Sequence, residues 1–368
     1  MKSVFSYMLV VILFLLVDSN AQSATEMTFE GEKHLKNIKM LTNGGENAEA
    51  YLSFDQKKLI LQAKIDGLEC DQIFTMNIDG TDKKMVSTGK GRTTCSYFMP
   101  GDNKIIYAST HLSGDKCPPN PDFSKGYAST HLSGDKCPPN PDFSKGYVWK
   151  LYDEFEIFIA DANGENIVQV TDNDSYDAEA TVSPKGDKIV FTSLRDGDPE
   201  LYLMDIDGSN QERITFEKGY DGGAFFSQDG SKLVYRASRP VSEKELQDYD
   251  ELVKERLVRP GILEIHVMDI ATKKVTKVTN FGKASFAPFM HPSGNKIIFC
   301  SNVNSKDPRN FDLYLINSDG TGLEQITFNE TFDGFPMFTA DGKHLVFASN
   351  RFNKERGDTN VFIAEWVD

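Results

Sequence analysis

The chain is poor in the residues from which common reaction centres are built. Its six histidines are scattered, and its five cysteines (Cys70, Cys95, Cys117, Cys137 and Cys300) form no closely spaced pair. That spacing excludes a metal-binding knuckle. There is no Gly-x-Ser-x-Gly elbow, no His-Glu-x-x-His helix and no phosphate-binding loop, so the usual signatures of hydrolases, metallopeptidases and nucleotide enzymes are missing. Positive charge is also short: 40 Lys and Arg stand against 55 Asp and Glu, a net charge of -15. Such a balance disfavours nucleic acid and anionic membrane surfaces and suits a basic partner, cations or plain solubility.

Only one long apolar run occurs, YMLVVILFLLV at 7–17. With Lys2 before it and Ser19-Asn20-Ala21 after it, residues 1–21 read as a secretory signal. The run falls short of the about 20 residues that span a bilayer. No Cys follows it to carry a lipid, and no other segment could cross a membrane. The expectation is an exported bacterial protein, periplasmic or secreted, with no transmembrane segment after signal cleavage. Residues 22–35 read as a flexible lead-in.

From residue 36 to 368 one pattern recurs six times: strand, tight turn, strand, surface loop, strand, Asp-Gly-type turn, strand. The clearest copy is DAEATVSPKGDKIVFTS (177–193) followed by PELYLMDIDGSNQERITF (199–216). Four-stranded units at a spacing of about 45 residues predict an all-β, six-bladed β-propeller. The last copy supplies three strands, whereas KNIKMLTN (36–43) resembles the fourth strands of other copies. An N-terminal strand is therefore expected to complete the C-terminal blade, leaving no open sheet edge. Segments such as KIVFTS and KIIFCSN carry the β-branched and aromatic residues of strands. The turns DIDGSN, NIDGTD and NSDGTG offer Asp, Asn and Gly for positive φ. They lack the longer ligand series of a calcium-binding helix–loop motif, so they read as structural.

YASTHLSGDKCPPNPDFSKG occupies 107–126 and returns unchanged at 127–146, a tandem duplication in a blade-2 loop. It doubles His111 as His131 and Cys117 as Cys137. Cys300 reads as a buried hydrophobe, and a Cys70–Cys95 bridge is conceivable.

All long insertions fall on the face that carries the loops between second and third strands and between blades. They are the duplicated segment, PVSEKELQDYDELVKERLVRPG (240–261), NSKDPRN (304–310) and FNKERGD (352–358). Long loops on a rigid scaffold are where binding resides. The 240–261 insertion has apolar residues at helical spacing. At this face the innermost strands begin with Asn47 and Glu49, Asp177 and Glu179, Asp221, and Asp333. Arg195, Arg236, Arg239 and Arg351 follow at the ends of second strands. A ring of these carboxylates could hold a calcium ion, a basic peptide or a polyhydroxy ligand. The plainer expectation is that Asp and Arg of adjacent blades pair and hold them in register. Tyr176, Tyr220, Phe225, Phe332 and Phe335 flank the acids.

The motif SPKGDKIVFTSLRDGDPELYLMDIDGSNQERIT resembles the WD40-like repeat of TolB-type propellers, and the resemblance covers residues 36–368. It does not extend to the α/β domain that precedes the propeller in TolB. It implies a propeller of the bacterial cell envelope that binds a protein or peptide partner, with a glycan as a further ligand class. Glu49, Asp177, Glu179, Asp221, Asp333, the four arginines and His111 are the residues expected to bind. The alternative is a cation-dependent hydrolase or lyase acting on a carbohydrate or lactone, with these mouth acids and His111 or His131 as a base.

Overall fold

The computed structural model describes residues 27–65, 67–118 and 148–368. Six four-stranded antiparallel sheets are arranged as blades. Their innermost strands are Glu46–Leu52, Thr93–Phe98, Asp177–Val182, Asp221–Phe226, Ser285–Met290 and Asp333–Phe338. The sixth blade is finished by Leu35–Met40, which pairs antiparallel with Asn360–Trp366. The predicted closure by an N-terminal strand is therefore present. Between blades the core is packed with the β-branched and aromatic residues of second and third strands, including Ile105, Phe191, Tyr235, Phe299 and Phe347.

The short turns behave as local chemistry dictates. Asp79, Asp207 and Asp319 each accept from the backbone N–H and hydroxyl of the Thr or Ser two residues on, at 2.6–3.0 Å. These carboxylates are spent on holding the turn.

The blade-4 insertion contains the helix Glu243–Lys254, started by a capping box between Ser242 and Glu245. Its Tyr249, Leu252 and Val253 are buried. The helix is followed by Leu257–Val258, which pairs with Trp149–Lys150 from the blade-2 insertion. Two insertions about 100 residues apart in the chain thus form one cap over the loop-rich face.

Three expectations change. Part of the stretch read as a flexible lead-in is packed: Glu32 is buried and accepts from both Nη atoms of Arg351, and Phe29 stacks on Phe352. The disulfide is Cys70–Cys117, and Cys95 is free. The pairings of Asp177, Asp221 and Asp333 with arginine lie within blades rather than between them (below). Residues 1–26, which hold the expected signal, and 119–147, which hold most of the duplication with His131 and Cys137, lie outside the described residues.

Candidate functional site

Every innermost strand carries a β-bulge, and the six bulges converge on the propeller axis. At each the residue two beyond Asn47, Thr93, Asp177, Asp221, Ser285 or Asp333 takes a positive φ. These are Glu49 (50°), Cys95 (51°), Glu179 (59°), Gly223 (58°), Ala287 (48°) and Phe335 (52°). A residue with a Cβ costs roughly 1–2 kcal/mol there, so five of the six positions are strained and only Gly223 is free of the penalty. The bulge re-aims these side chains from the sheet toward the axis.

Together they wall a small chamber that is open to solvent on one side, with Tyr51, Ala180, Thr181, Phe225 and Arg236 completing its lining. Two residues deeper, Tyr51, Tyr97 and Phe289 each pack edge to face on Phe225, and Tyr51 meets Tyr97 at a tilt, with ring centroids 5.1–6.3 Å apart. This aromatic layer floors the chamber.

Glu179 and Arg236 form the polar centre of the chamber. They come from blades 3 and 4 and make an ion pair, with side chains 12% and 11% exposed. Glu179 also accepts from Thr192 Oγ1 at 2.7 Å, Tyr220 Oη at 2.9 Å and the Gly223 N–H at 2.9 Å. Arg236 donates to Tyr220 Oη at 2.8 Å and lies under the Trp149 ring at 5.0 Å. Gly222 and Gly223 make room for the cluster. A Cβ on Gly222 would sit 2.2 Å from Tyr220 Oη, and one on Gly223 would sit 2.1 Å from Arg236 Nη1.

Glu49 faces the same space with different chemistry. Burial first, and then the Glu179 charge, push its carboxyl up to about 7 against the opposing pull of Arg236. The Cys95 thiol hydrogen-bonds to it. Burial and the two glutamates raise that thiol well above its ordinary range, which makes it a poor nucleophile.

The remaining expected acids do not reach the chamber. Asp177, Asp221 and Asp333 are fully buried, and each pairs with the arginine 18 positions later in its own blade. Arg195 meets Asp177 at 2.6 Å, Arg239 meets Asp221 at 2.6 Å, and Arg351 meets Asp333 at 3.1 Å. The spacing follows from the hairpin: Asp221 faces Ala237 across the ladder, and the arginine two residues on folds back over it. Their other oxygens face the next seam. The third strands of blades 2, 3 and 5 begin with Glu156, Glu200 and Asp312. Glu200 stands within hydrogen-bonding reach of Asp221, and Glu156 and Asp312 lie within charge range of Asp177 and Asp333. Each member of each couple keeps one buried oxygen without a hydrogen-bonding neighbour, namely Glu156 Oε2, Asp177 Oδ1, Glu200 Oε2, Asp221 Oδ2, Asp312 Oδ1 and Asp333 Oδ1. Between Glu200 and Asp221 a single proton satisfies both carboxyls. Burial, reinforced by the charge of the facing acid, raises Glu156 to about 7 and Asp312 to about 8.

The calcium ring expected at the mouth is thus not assembled, and no group of three or more His, Cys, Asp or Glu is placed to hold a metal among the described residues. His111 stands apart, with Nδ1 2.9 Å from Ser109 Oγ and its ring packed on Phe158. Of the ten expected residues, the chamber brings together Glu49, Glu179 and Arg236. Sequence reasoning missed Cys95, Trp149 and the Gly222-Gly223 pair. The last had a legible signal, two glycines inside an apolar strand.

A model of the TolB beta propeller domain matches residues 141–256. The Tol-Pal system protein TolB of Francisella tularensis subsp. tularensis (strain WY96-3418) is 27% identical over 104 residues, 28% of this chain. That match spans 22% of the relative's length. Among solved structures, a provisionally named TolB from Agrobacterium tumefaciens superposes with a TM-score of 0.51 at 17% identity, covering 88% of this chain and 91% of that one. An oligogalacturonate lyase from Vibrio parahaemolyticus gives 0.50 at 13% identity, covering 89% and 93%. At these identities the two structures speak for the fold alone.

Proposed function

The chain is a TolB-like six-bladed β-propeller, and from that premise we propose that it is a non-catalytic binding module of the bacterial cell envelope that engages a protein or peptide partner through its loop-rich face. The observation that carries this reading is the cap. The blade-2 and blade-4 insertions are joined through the Leu257↔Lys150 and Val258↔Trp149 pairings, and the helix is anchored by Tyr249 to Asp198 and by Lys218 to Asp250 at 2.7 Å. Ordering inserted loops costs backbone entropy of roughly 1–2 kcal/mol per residue. The blades close without these insertions, so a built platform on one face alone suits recognition. Val241, directly before the helix, and Phe216, in the loop entering blade 4, are 82% and 70% exposed and supply apolar contact area. The periplasm or the cell exterior is the setting that an exported signal and the TolB-type repeat support.

Site-specific photo-crosslinking in a bacterial host tests the reading. A crosslinker at Gln247 or Phe216 is expected to trap a discrete partner, whereas one at Lys185 or Asp229, in turns of the opposite face, is not. Equal labelling from both faces, or none, would remove the loop-rich face as the binding surface.

A second reading has its own observation. Glu49, whose carboxyl burial pushes up to about 7, stands beside the Glu179–Arg236 ion pair and has the make-up of a general acid or base. It supports the carbohydrate or lactone hydrolase or lyase alternative. Turnover of such substrates, lost in Glu49→Gln with folding intact, would favour it over pure binding.

A further inference from the structure

The chamber contains two carboxylates, Glu49 and Glu179, and one guanidinium, Arg236. Arg236 is matched to Glu179, so one negative charge, that of Glu49, is left without a cation. Glu49 makes no ion pair among the described residues, and its recorded side-chain hydrogen bond is to a thiol. The chamber also holds an unused donor: Arg236 is only 9% exposed, and its Nε is buried with no acceptor. The indole Nε1 of Trp149, stacked over the same guanidinium, is a second buried donor without an acceptor. Trp149 lies behind the guanidinium and outside the lining, while the walls beside Glu49 and Arg236 are aromatic, with Tyr51, Phe225 and Phe335. An unpaired acid, orphaned donors and π-faces together describe the complement of a ligand bearing one positive charge and, next to it, an oxygen acceptor. Aromatic faces favour an organic cation over a metal ion, and the donor set lacks the ligands a metal needs.

We propose that the chamber binds a single ammonium group carried beside a carbonyl oxygen, the chemistry of a peptide amino terminus. The ammonium pairs with Glu49, and the first carbonyl accepts from Arg236 Nε. This deepens the partner reading given above, since it names the part of the partner that enters. Protonation of Glu49 competes with the ligand, so the groups around it set the pH response. Those facing it are Glu179 from blade 3, Arg236 from blade 4, Cys95 from blade 2 and Asp71 from the loop before blade 1's third strand. The two acids and burial hold the proton on. The guanidinium and the thiol hydrogen bond take it off.

Trp149 is one of two tryptophans in the chain, so Trp366→Phe leaves it as the sole indole reporter. In that background the full protein is titrated with triglycine amide, with its N-acetylated form and with glycinamide. Saturable change in Trp149 emission is expected with the free amines and not with the acetylated peptide. Affinity is expected to weaken about tenfold from pH 8 to pH 6 as Glu49 takes its proton. Glu49→Gln should lose the response, and Glu49→Asp, which keeps the charge, should retain a weakened one; thermal unfolding of both checks that the fold is intact. Tighter binding of the tripeptide than of glycinamide assigns a peptide as the source, and equal binding assigns a free small amine. Binding of the acetylated peptide as tightly as the free amine, an unaltered titration in folded Glu49→Gln, or no saturation by any amine at pH 8 overturns the proposal. These results are independent of crosslinking: a trapped partner without amine binding keeps the docking face and removes the chamber.

Discussion

Glu200 of blade 3 and Asp221 of blade 4 are joined carboxyl to carboxyl across the seam between their blades, and each is tied on its far side to an arginine. Arg213 Nη2 donates to Glu200 at 2.6 Å and Arg239 Nη2 donates to Asp221 at 2.6 Å. Burial raises both acids, and Asp221 rises well above the carboxylate range. Two buried carboxylates side by side cannot both stay ionised, so the couple keeps a proton.

The same logic at Glu156 and Asp312 gives the stability a pH dependence of definite sign. These acids have folded pKa values of about 7 and about 8, above their unfolded values. The folded state therefore binds more protons between those limits. The stabilisation is complete below the unfolded pKa, near 4, and is lost as pH rises through about 7 and 8. Urea unfolding is expected to show a lower midpoint at pH 8.5 than at pH 5.5, and Asp312→Asn, which keeps a donor permanently, should flatten that slope. An unchanged midpoint across the range in the unmodified protein would mean that the seams hold no proton.

The bulge ring predicts two substitutions of opposite sign at equivalent positions. Gly223→Ala places a Cβ at positive φ and 2.7 Å from Arg236 Cζ, so it should cost about 1–3 kcal/mol and loosen the Glu179–Arg236 pair. Ala287→Gly relieves a φ of 48° with no large side chain to lose, and should be neutral or stabilise by up to about 1 kcal/mol. Chemical denaturation of the two variants side by side checks both signs.

How far the sequence carried this reading depends on the range of the physics. Blade number, turn chemistry and closure by Leu35–Met40 were legible because a repeated local pattern fixes each of them. The identical 18-residue spacing of Asp177 to Arg195, Asp221 to Arg239 and Asp333 to Arg351 is also present in the letters, but spacing alone does not say whether an acid meets the arginine of its own blade or of the next. Two-stranded pairing places those residues over each other within one blade, and only coordinates show which neighbour is nearer. The meeting of Glu179 and Arg236 is not legible in the letters, because it depends on a bulge that turns Glu179 inward and on space left by Gly222 and Gly223. The Trp149–Val258 pairing joins residues more than 100 positions apart and had no sequence signal at all.

Cystine mapping gives a third check. Under non-reducing digestion Cys70 should be recovered with Cys117, and Cys95 and Cys300 as free thiols, with the buried Cys300 alkylating only after unfolding and Cys95 slowly, since burial raises both thiols. Recovery of a Cys70–Cys95 peptide would contradict the chamber, in which Cys95 stands against Glu49.

The three Asp–Arg pairs should also differ in cost when the arginine is removed, because they differ in what is left behind. Arg351 is fully buried between two fully buried carboxylates, Glu32 and Asp333, at 2.9 and 3.1 Å. Arg351→Met strands both acids and releases the segment around Phe29 and Glu32 from blade 6, so it should cost about 3–5 kcal/mol, the range for breaking a buried ion pair. Arg195 has a side chain 24% exposed, and besides Asp177 its guanidinium meets the neutral Gln211 at 2.6 Å. One acid is stranded in Arg195→Met, and water reaches the site, so the loss should be smaller. Glu32→Gln in the Arg351→Met background should recover part of the loss, since it removes one of the two stranded charges. Equal costs for Arg351→Met and Arg195→Met, with no recovery in the double variant, would show that packing around the arginines, and not their charge, holds these corners of the propeller.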